Sequence, residues 1–342
     1  MRRLAFANFE GVMWVRAVRL VAATLLGAVA VAAAGCGADA GADDGADRTT
    51  TIEHRFGSTR IEGTPTRIVA AGSQWLDALL EFGVQPVAYL AAGDRGDERG
   101  LYPWESSLDE SAVELDRAVL TQLGAPLPVE EIAAQKPDLI LGSFVAGRSD
   151  FDRVAKIAPT IGEIGDAQVD SWDDQVTALG RILGEQDRAA EIIATTNGEI
   201  DGLAARLPGL KGKTAVLSQF VFATNQLVVV ADPKDGASQT FARLGMTVPP
   251  RLVEEAGATG GRLLLSPERV DALTADLVVM LPNGGTRDDL MRLPGFAALP
   301  SVDNGGMAVE DYPTVVGFNT PSSASLRYSL DRITPQLEAI GG

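Results

Sequence analysis

Apolar positions in this chain come as short continuous runs, separated by stretches in which they recur every three or four residues. Arg67-Ile-Val-Ala-Ala-Gly-Ser73 is a run of the first kind and predicts a buried strand ending in a Gly turn. Gln74 to Phe82 follows, with Trp75, Leu76, Leu79, Leu80 and Phe82 on one helical stripe, and stops at Gly83. Val87-Ala-Tyr-Leu90 is the next strand, Pro128–Gln135 a helix, Pro137-Asp-Leu-Ile-Leu-Gly142 a strand, and Phe151–Ile157 a helix closed by Pro159. Strands alternating with helices in this way predict a parallel sheet covered by helices.

The pattern then changes. Ser171-Trp-Asp-Asp174 has the spacing of a capping box with Asp in place of Glu. It opens a helix carrying Val176, Leu179, Ile182 and Leu183 as far as Gly184. Glu185 to Leu207 continues with Ile193, Ile200, Leu203 and Leu207 at helical spacing and is stopped by Pro208-Gly209. Such a helix is ~35 Å long, enough to reach from one domain to another. Alternation resumes with strands at Thr214–Ser218, Leu227–Val230 and Asp276–Leu281, a helix at Gln239–Leu244, and a closing helix at Ser325–Ile340 interrupted near Pro335.

The two halves echo each other. Glu130–Leu141 aligns without a gap on Glu268–Val279, each a helix feeding Asp-Leu and a buried strand. Trp75–Gly83 and Ser238–Gly245 repeat a helix that ends in a Gly turn. The expected fold is therefore α/β, with two lobes of central sheet flanked by helices and joined by one long α-helix. The expected boundaries are 52–171 for the first lobe, 172–210 for the bridging helical segment and 211–342 for the second lobe.

The start of the chain is of another kind. Arg16 and Arg19 precede the apolar run Leu20–Ala34, which ends at Gly35-Cys36. A basic start, a short apolar core and small terminal residues form a secretory signal. The core is shorter than the ~20 apolar residues of a comfortable membrane span. Ala33-Ala34-Gly35-Cys36 resembles the lipobox of bacterial lipoproteins, with Ala33 where Leu is usual, and implies lipidation of Cys36. Residues 1–35 are then the signal, with either Met1 or Met13 as its start. Residues 36–51, rich in Gly, Ala, Asp and Thr, form a disordered tether.

Charge narrows the function. Loss of residues 1–35 removes Arg2, Arg3, Arg16, Arg19 and Glu10, so 25 of 29 basic and 45 of 46 acidic side chains remain, a net charge of −20. Nucleic acid, whose phosphates need a basic surface, is excluded as a partner. The single cysteine is assigned to the anchor, which leaves no disulfide and no thiolate metal site. His54 is the only histidine, so a catalytic triad or multi-histidine metal site lacks its parts, and neither an enzyme nor a resident cofactor or metal is expected.

Several motifs together resemble the helix-linked substrate-binding lipoproteins of ABC importers, in the iron-siderophore, haem and cobalamin branch of the periplasmic binding proteins. They are Pro65-Thr-Arg-Ile-Val-Ala, Lys136-Pro-Asp-Leu-Ile, Ile157-Ala-Pro-Thr160, Trp172 with Leu179-Gly180 and Leu183-Gly184, Leu265-Ser-Pro-Glu-Arg269, and Leu293-Pro-Gly-Phe. The resemblance covers about residues 52–340. It implies a ligand cleft between the lobes, capture of a ferric siderophore or of haem, delivery to an ABC permease and its ATPase, and attachment to the membrane through the lipid on the extracytoplasmic side. A lipoprotein sensor that reports ligand to a partner is the alternative from a different class.

The family's cleft is lined by loops after the strands. Here those loops hold Gln74, Trp75, Tyr102, Trp104, Phe144 and Arg148 in the first lobe, and Phe220, Phe222, Asn283, Arg287 and Tyr312 in the second. Aromatic faces suit a bulky chelate and arginine suits its oxygens. Trp75 and Phe144 fit cleft or core equally. Phe220 and Phe222 share a face by strand alternation, so both line the cleft or both belong to the core. His54 is expected at the surface and Trp172 in the packing of the bridge. The family also docks on its permease through one acidic residue per lobe. Asp77, six residues before Gly83, is the matching acid in the first lobe. Gln239 stands at the corresponding place before Gly245, with Glu254 or Glu255 as substitutes.

Overall fold

The computed structural model describes residues 48–90, 92–116, 125–257 and 261–342. The expected signal, Cys36 and the tether up to residue 47 lie outside the described residues. Thr49–Thr51, expected within the tether, already belong to a strand. β1 (Thr49–His54) and β2 (Gly57–Glu62) form an antiparallel hairpin. Alternation along β1 turns Thr50, Ile52 and His54 inward, and the Thr59 hydroxyl donates to the Thr160 carbonyl at 2.7 Å to dock the hairpin.

The first sheet contains β3 (Ile68–Ala71), β4 (Ala88–Leu90), β5 (Val113–Leu115), β6 (Leu139–Gly142) and β7 (Thr160–Ile161). Its order is β5-β4-β3-β6-β7 and every pairing is parallel. Helices α1 (Ser73–Glu81), α2 (Val129–Ala134) and α3 (Arg148–Val154) accompany it. The bridge follows as α4 (Trp172–Leu183) and α5 (Gln186–Arg206). Gly184 takes a left-handed conformation, φ 79°, at the corner between them, and a side chain there would strike the Arg48 guanidinium. Arg48 in turn donates to the carbonyls of Arg181 and Ile182, where a cation suits the helix C-terminus. The 21 residues of α5 extend about 31 Å.

The second sheet contains β8 (Ala215–Val221), β9 (Gln226–Val230), β10 (Arg262–Leu265), β11 (Leu277–Asn283) and β12 (Met307–Val309), in the order β10-β9-β8-β11-β12. It differs from the expected parallel sheet. β8 and β9 form a hairpin, and β10 adds antiparallel to β9, while β11 and β12 are parallel. Helices α6 (Gly236–Arg243), α7 (Pro250–Ala256), α8 (Arg287–Met291), α9 (Pro300–Asp303), α10 (Tyr312–Asn319) and α11 (Ser323–Gly341) complete the lobe.

The echo between halves has a structural counterpart. Asp138 accepts from the Thr66 amide at 2.8 Å and its hydroxyl at 3.0 Å, just before β3. Asp276 accepts from the Thr214 amide at 2.8 Å and its hydroxyl at 2.9 Å, just before β8. Each Asp fixes the start of its lobe's central strand against the next.

Strand alternation divides the core. Ile68 and Ala70 of β3 and Ala215 and Leu217 of β8 enter one continuous cluster with Trp172, Ile182, Ile192 and Leu337. Val69 and Ala71 face a second cluster, and Val216 and Phe220 a third. The inner faces of both sheets thus share a core with the bridge, which couples the lobes through packing as well as through the chain.

Two local expectations are corrected. The Ser171 hydroxyl makes no capping bond; it lies against Asp173 and, at 2.7 Å, Gln239 Oε1 of the second lobe. Pro335 does not interrupt α11. Its missing N–H leaves only the carbonyl of exposed Asp331 unserved, on a face open to water. No helix among the described residues is long and apolar enough to cross a membrane.

Candidate functional site

In parallel sheets the C-terminal strand ends collect on one rim, and the loops leaving them are free to carry ligand-binding groups. On the first lobe these loops follow β3, β4 and β6. On the second they follow β8, β11 and β12.

The segment after β4 crosses to the other lobe. Arg95 ends a short 3-10 turn, Gly93–Arg95, and its guanidinium donates to the Tyr312 hydroxyl at 2.7 Å. It also lies 4.3 Å from the centre of the Tyr312 ring. Tyr312 opens α10, whose N-cap Asp311 accepts from the Thr314 amide. Behind this contact Tyr102 stacks on Trp104, centroids 4.9 Å apart at 19°. Trp104 meets Tyr328 of α11 at 5.3 Å, and Arg332 lies 4.9 Å over the Tyr328 ring. Burial pushes the Tyr102 phenol well above its ordinary pKa, with Tyr312, Glu105 and Asp77 adding to the rise. The phenol therefore stays a neutral donor at physiological pH.

The rim of the second lobe is polar. Asn283 donates to Gln219 Oε1 at 3.1 Å, joining the ends of β8 and β11. Arg287 is exposed at the start of α8. Burial raises Glu310 above the usual carboxylate range, Asp311 adds to this, and Arg332 and Arg287 oppose it. A small cavity of about 70 Å³ lies between Gln219, Val228, Arg262, Tyr312 and Asn319. Arg262 is already engaged there, by Asp235 at 3.2 Å and by Asn319 at 2.6 Å, so it is a structural cation.

The structure sorts the expected site residues. Trp104 and Tyr312 come together with Arg95, Tyr102 stacks on Trp104 but is itself buried at 7 % exposure, and Asn283 and Arg287 lie on the rim of the second lobe. Phe144 is 37 % exposed just beyond β6 and holds a left-handed φ of 55°, an unfavourable conformation for a phenylalanine. Trp75 is core, 0 % exposed, its indole N–H donating to the Gly142 carbonyl. Gln74 is buried between the lobes and donates to the carbonyls of Asp170 and Pro321, which makes it a strut. Phe220 and Phe222 do share a face, and that face is the outer core of the second sheet, where their rings meet edge to face at 4.8 Å. Arg148 lies over Phe56 and Phe151 at the hairpin edge and pairs with Asp152.

Asp77 is 3 % exposed and accepts from Trp104 and from Ser322. A carboxylate sealed in this way cannot meet a permease, so its expected docking role does not hold. Of the suggested substitutes, Glu255 forms a two-pronged pair with Arg269 and Glu254 is exposed. His54 is buried between Phe56 and Phe151, with Nε2 2.9 Å from the Thr59 hydroxyl, rather than at the surface. Arg95, Gln219, Glu310 and Tyr328 were not anticipated. The polar loop containing Tyr102 was a usable signal for Arg95; the helical stripe of α11 gave none for Tyr328. No cluster of His, Cys, Asp and Glu suited to a metal ion occurs among the described residues.

Comparison with known proteins agrees with this architecture. Residues 102–309, more than half of the chain, match the family described as periplasmic binding protein. A probable siderophore-binding lipoprotein of Bacillus subtilis, YfiY, is 28% identical over 183 residues, 53% of this chain and 52% of that protein. This chain therefore spans about half the length of that relative. The Fe(3+)-citrate-binding protein YfmC of the same organism is 26% identical over 265 residues, covering 77% of this chain and 78% of that one. A periplasmic solute binding protein from Mycobacterium smegmatis shares the fold, with a TM-score of 0.69, 24% identity, and coverage of 88% of this chain and 100% of the other.

Proposed function

Since this chain belongs to the periplasmic binding protein family, we propose that it captures a ferric siderophore outside the cytoplasm and hands it to an ABC permease driven by its ATPase. The observation that carries the reading is the group Arg95, Tyr102, Trp104 and Tyr312, drawn from both lobes. Flat aromatic surfaces match the hydrocarbon of an organic chelator, and a guanidinium matches the oxygens that surround its iron. The relatives described as siderophore-binding and Fe(3+)-citrate-binding support this ligand class. The iron enters as cargo inside its chelator, and the protein performs no chemistry on it. Haem fits less well, because the one histidine is buried at the hairpin edge.

The lipid on Cys36 and the tether would hold this receptor at high effective concentration beside its permease. The signal, the boundaries of the lobes and the exposed acid Glu254 as a docking residue belong to the same proposal. Radio-iron uptake tests it. Cells lacking the receptor gene should regain uptake of a ferric siderophore when the full chain is restored, and not when Arg95→Ala is. Equal uptake with and without the chain, for every siderophore offered, overturns the proposal.

A further inference from the structure

Between α1 and the first turn of α11 two carboxyl groups are shut away from water. Asp77 is 3 % exposed and Glu105 2 %. Asp77 Oδ2 accepts from the Ser322 hydroxyl at 2.5 Å and from the Trp104 indole at 2.9 Å. Glu105 Oε2 accepts from the Tyr102 amide at 2.6 Å, and the Glu105 and Asp77 carboxyls act on each other electrostatically. Asp77 Oδ1 is buried and has no hydrogen-bond partner. Two neighbouring carboxyl groups shut away from water favour a proton on one of them.

Among the described residues no cation is paired with either carboxyl. Glu81 adds repulsion from α1, and Asp97 adds it from the loop after β4. Arg95 is taken up by Tyr312. Arg327 of α11 is held by Glu81 at 2.8 Å and Glu199 at 3.0 Å, and Arg188 of α5 donates to the Glu81 carbonyl. Tyr102 also faces the pair, and burial keeps its phenol protonated in the physiological range.

Ser322 connects this pair to the second lobe. It is the N-cap of α11, where its oxygen accepts from the Ser325 amide at 3.0 Å while its proton goes to Asp77. The hydroxyl is thus used in both capacities, as acceptor within its helix and as donor across the lobe boundary.

We infer that Asp77 and Glu105 are a positioning pair: one shared proton fastens the start of α11, and with it the second lobe, to α1, and the fastening loosens when that proton is lost. Only the consequence for ligand retention rests on the binding-protein reading; the fastening itself does not. Burial raises Asp77 to about 7 and raises Glu105 well above the ordinary carboxylate range. The folded chain therefore holds protons that the unfolded chain releases from about pH 4 upward. The stabilisation is complete below that point and is lost as pH rises through 7 and beyond.

Hydrogen exchange of the Ser325 and Leu326 amides, corrected for intrinsic rate, reads the fastening in the ligand-free chain. Protection should fall about tenfold or more between about pH 5.5 and about pH 8.5. Asp77→Asn keeps an acceptor for Ser322 and Trp104 without a charge, so its protection should be high and nearly flat with pH. Ser322→Ala should lower protection at every pH. Equal pH slopes in the wild type and Asp77→Asn overturn the inference, as does an Asp77→Asn variant that loses protection at low pH. Carboxyl carbon resonances of the wild type give an answer independent of any variant. One Glu carboxyl should remain protonated at neutral pH, and titration of every carboxyl in the ordinary range overturns the pair. None of these readouts uses a ligand, so failure of siderophore capture and failure of the pair are separate results.

Discussion

Arg95 and Tyr312 meet across the lobe boundary in two ways at once, the guanidinium donating to the phenol oxygen at 2.7 Å while lying 4.3 Å from the ring centre. The contact bridges the two lobes at the candidate site. A chelate rich in oxygen acceptors offers the guanidinium stronger, charge-assisted partners than a phenol does, so ligand should replace Tyr312 in this contact. Arg95→Ala should weaken binding about ten- to a hundredfold by calorimetry, the range of a hydrogen bond to a charged group. Its melting temperature should hardly change, because Arg95 is exposed.

Phe144 holds φ 55° just beyond β6. Glycine adopts that conformation without strain, whereas phenylalanine is penalised by about 1 kcal/mol. Phe144→Gly should therefore raise the denaturation midpoint in urea while lowering ligand affinity. A variant equal to the wild type in affinity would remove Phe144 from the site.

Arg262 offsets the buried charge of Asp235, whose pKa burial raises even with the guanidinium beside it. Arg262→Met leaves that carboxyl without its cation, and the fold should lose about 3 kcal/mol. The loss should grow as pH rises, because the unpaired Asp235 then holds a proton that the unfolded chain has released. Chemical denaturation at several pH values measures both effects.

In the proposed reading a lipid on Cys36 would carry the localisation. Cys36→Ala should release the processed chain from the membrane fraction into the soluble extracytoplasmic fraction, with ligand affinity unchanged, as fractionation and immunoblotting would record. Retention of the variant in the membrane would show that something other than the lipid holds it there.

The alternation of runs and stripes carried most of the architecture, since buried strands and half-buried helices impose those periods directly. The hairpin of β8 and β9 was missed because its turn, Phe222–Asn225, lacks the usual Gly pair, and Asn225 supplies the left-handed residue instead, φ 52°. For the candidate site, scarcity of aromatics pointed to Tyr102, Trp104 and Tyr312 in polar loops with little core to join, yet Tyr102 is buried. The same criterion misplaced Trp75 and Phe220, because an apolar residue near a strand end has the same pattern whether it faces cleft or core. Asp77 was misjudged for a different reason. Its meaning depends on Ser322, 245 residues away, and no local spacing encodes that meeting.

Trp104 makes the central claim measurable without a label, since it stacks on Tyr102 beside the Arg95–Tyr312 contact, whereas Trp75 and Trp172 are buried in the core. The most direct test is titration of tryptophan emission with ferric hydroxamates, ferric catecholates, ferric citrate, haem and cobalamin, repeated on Trp104→Phe. Saturable quenching by at least one ferric siderophore, much reduced in Trp104→Phe, is the predicted result. Quenching by none of the ferric chelates, or by haem alone, would contradict the account.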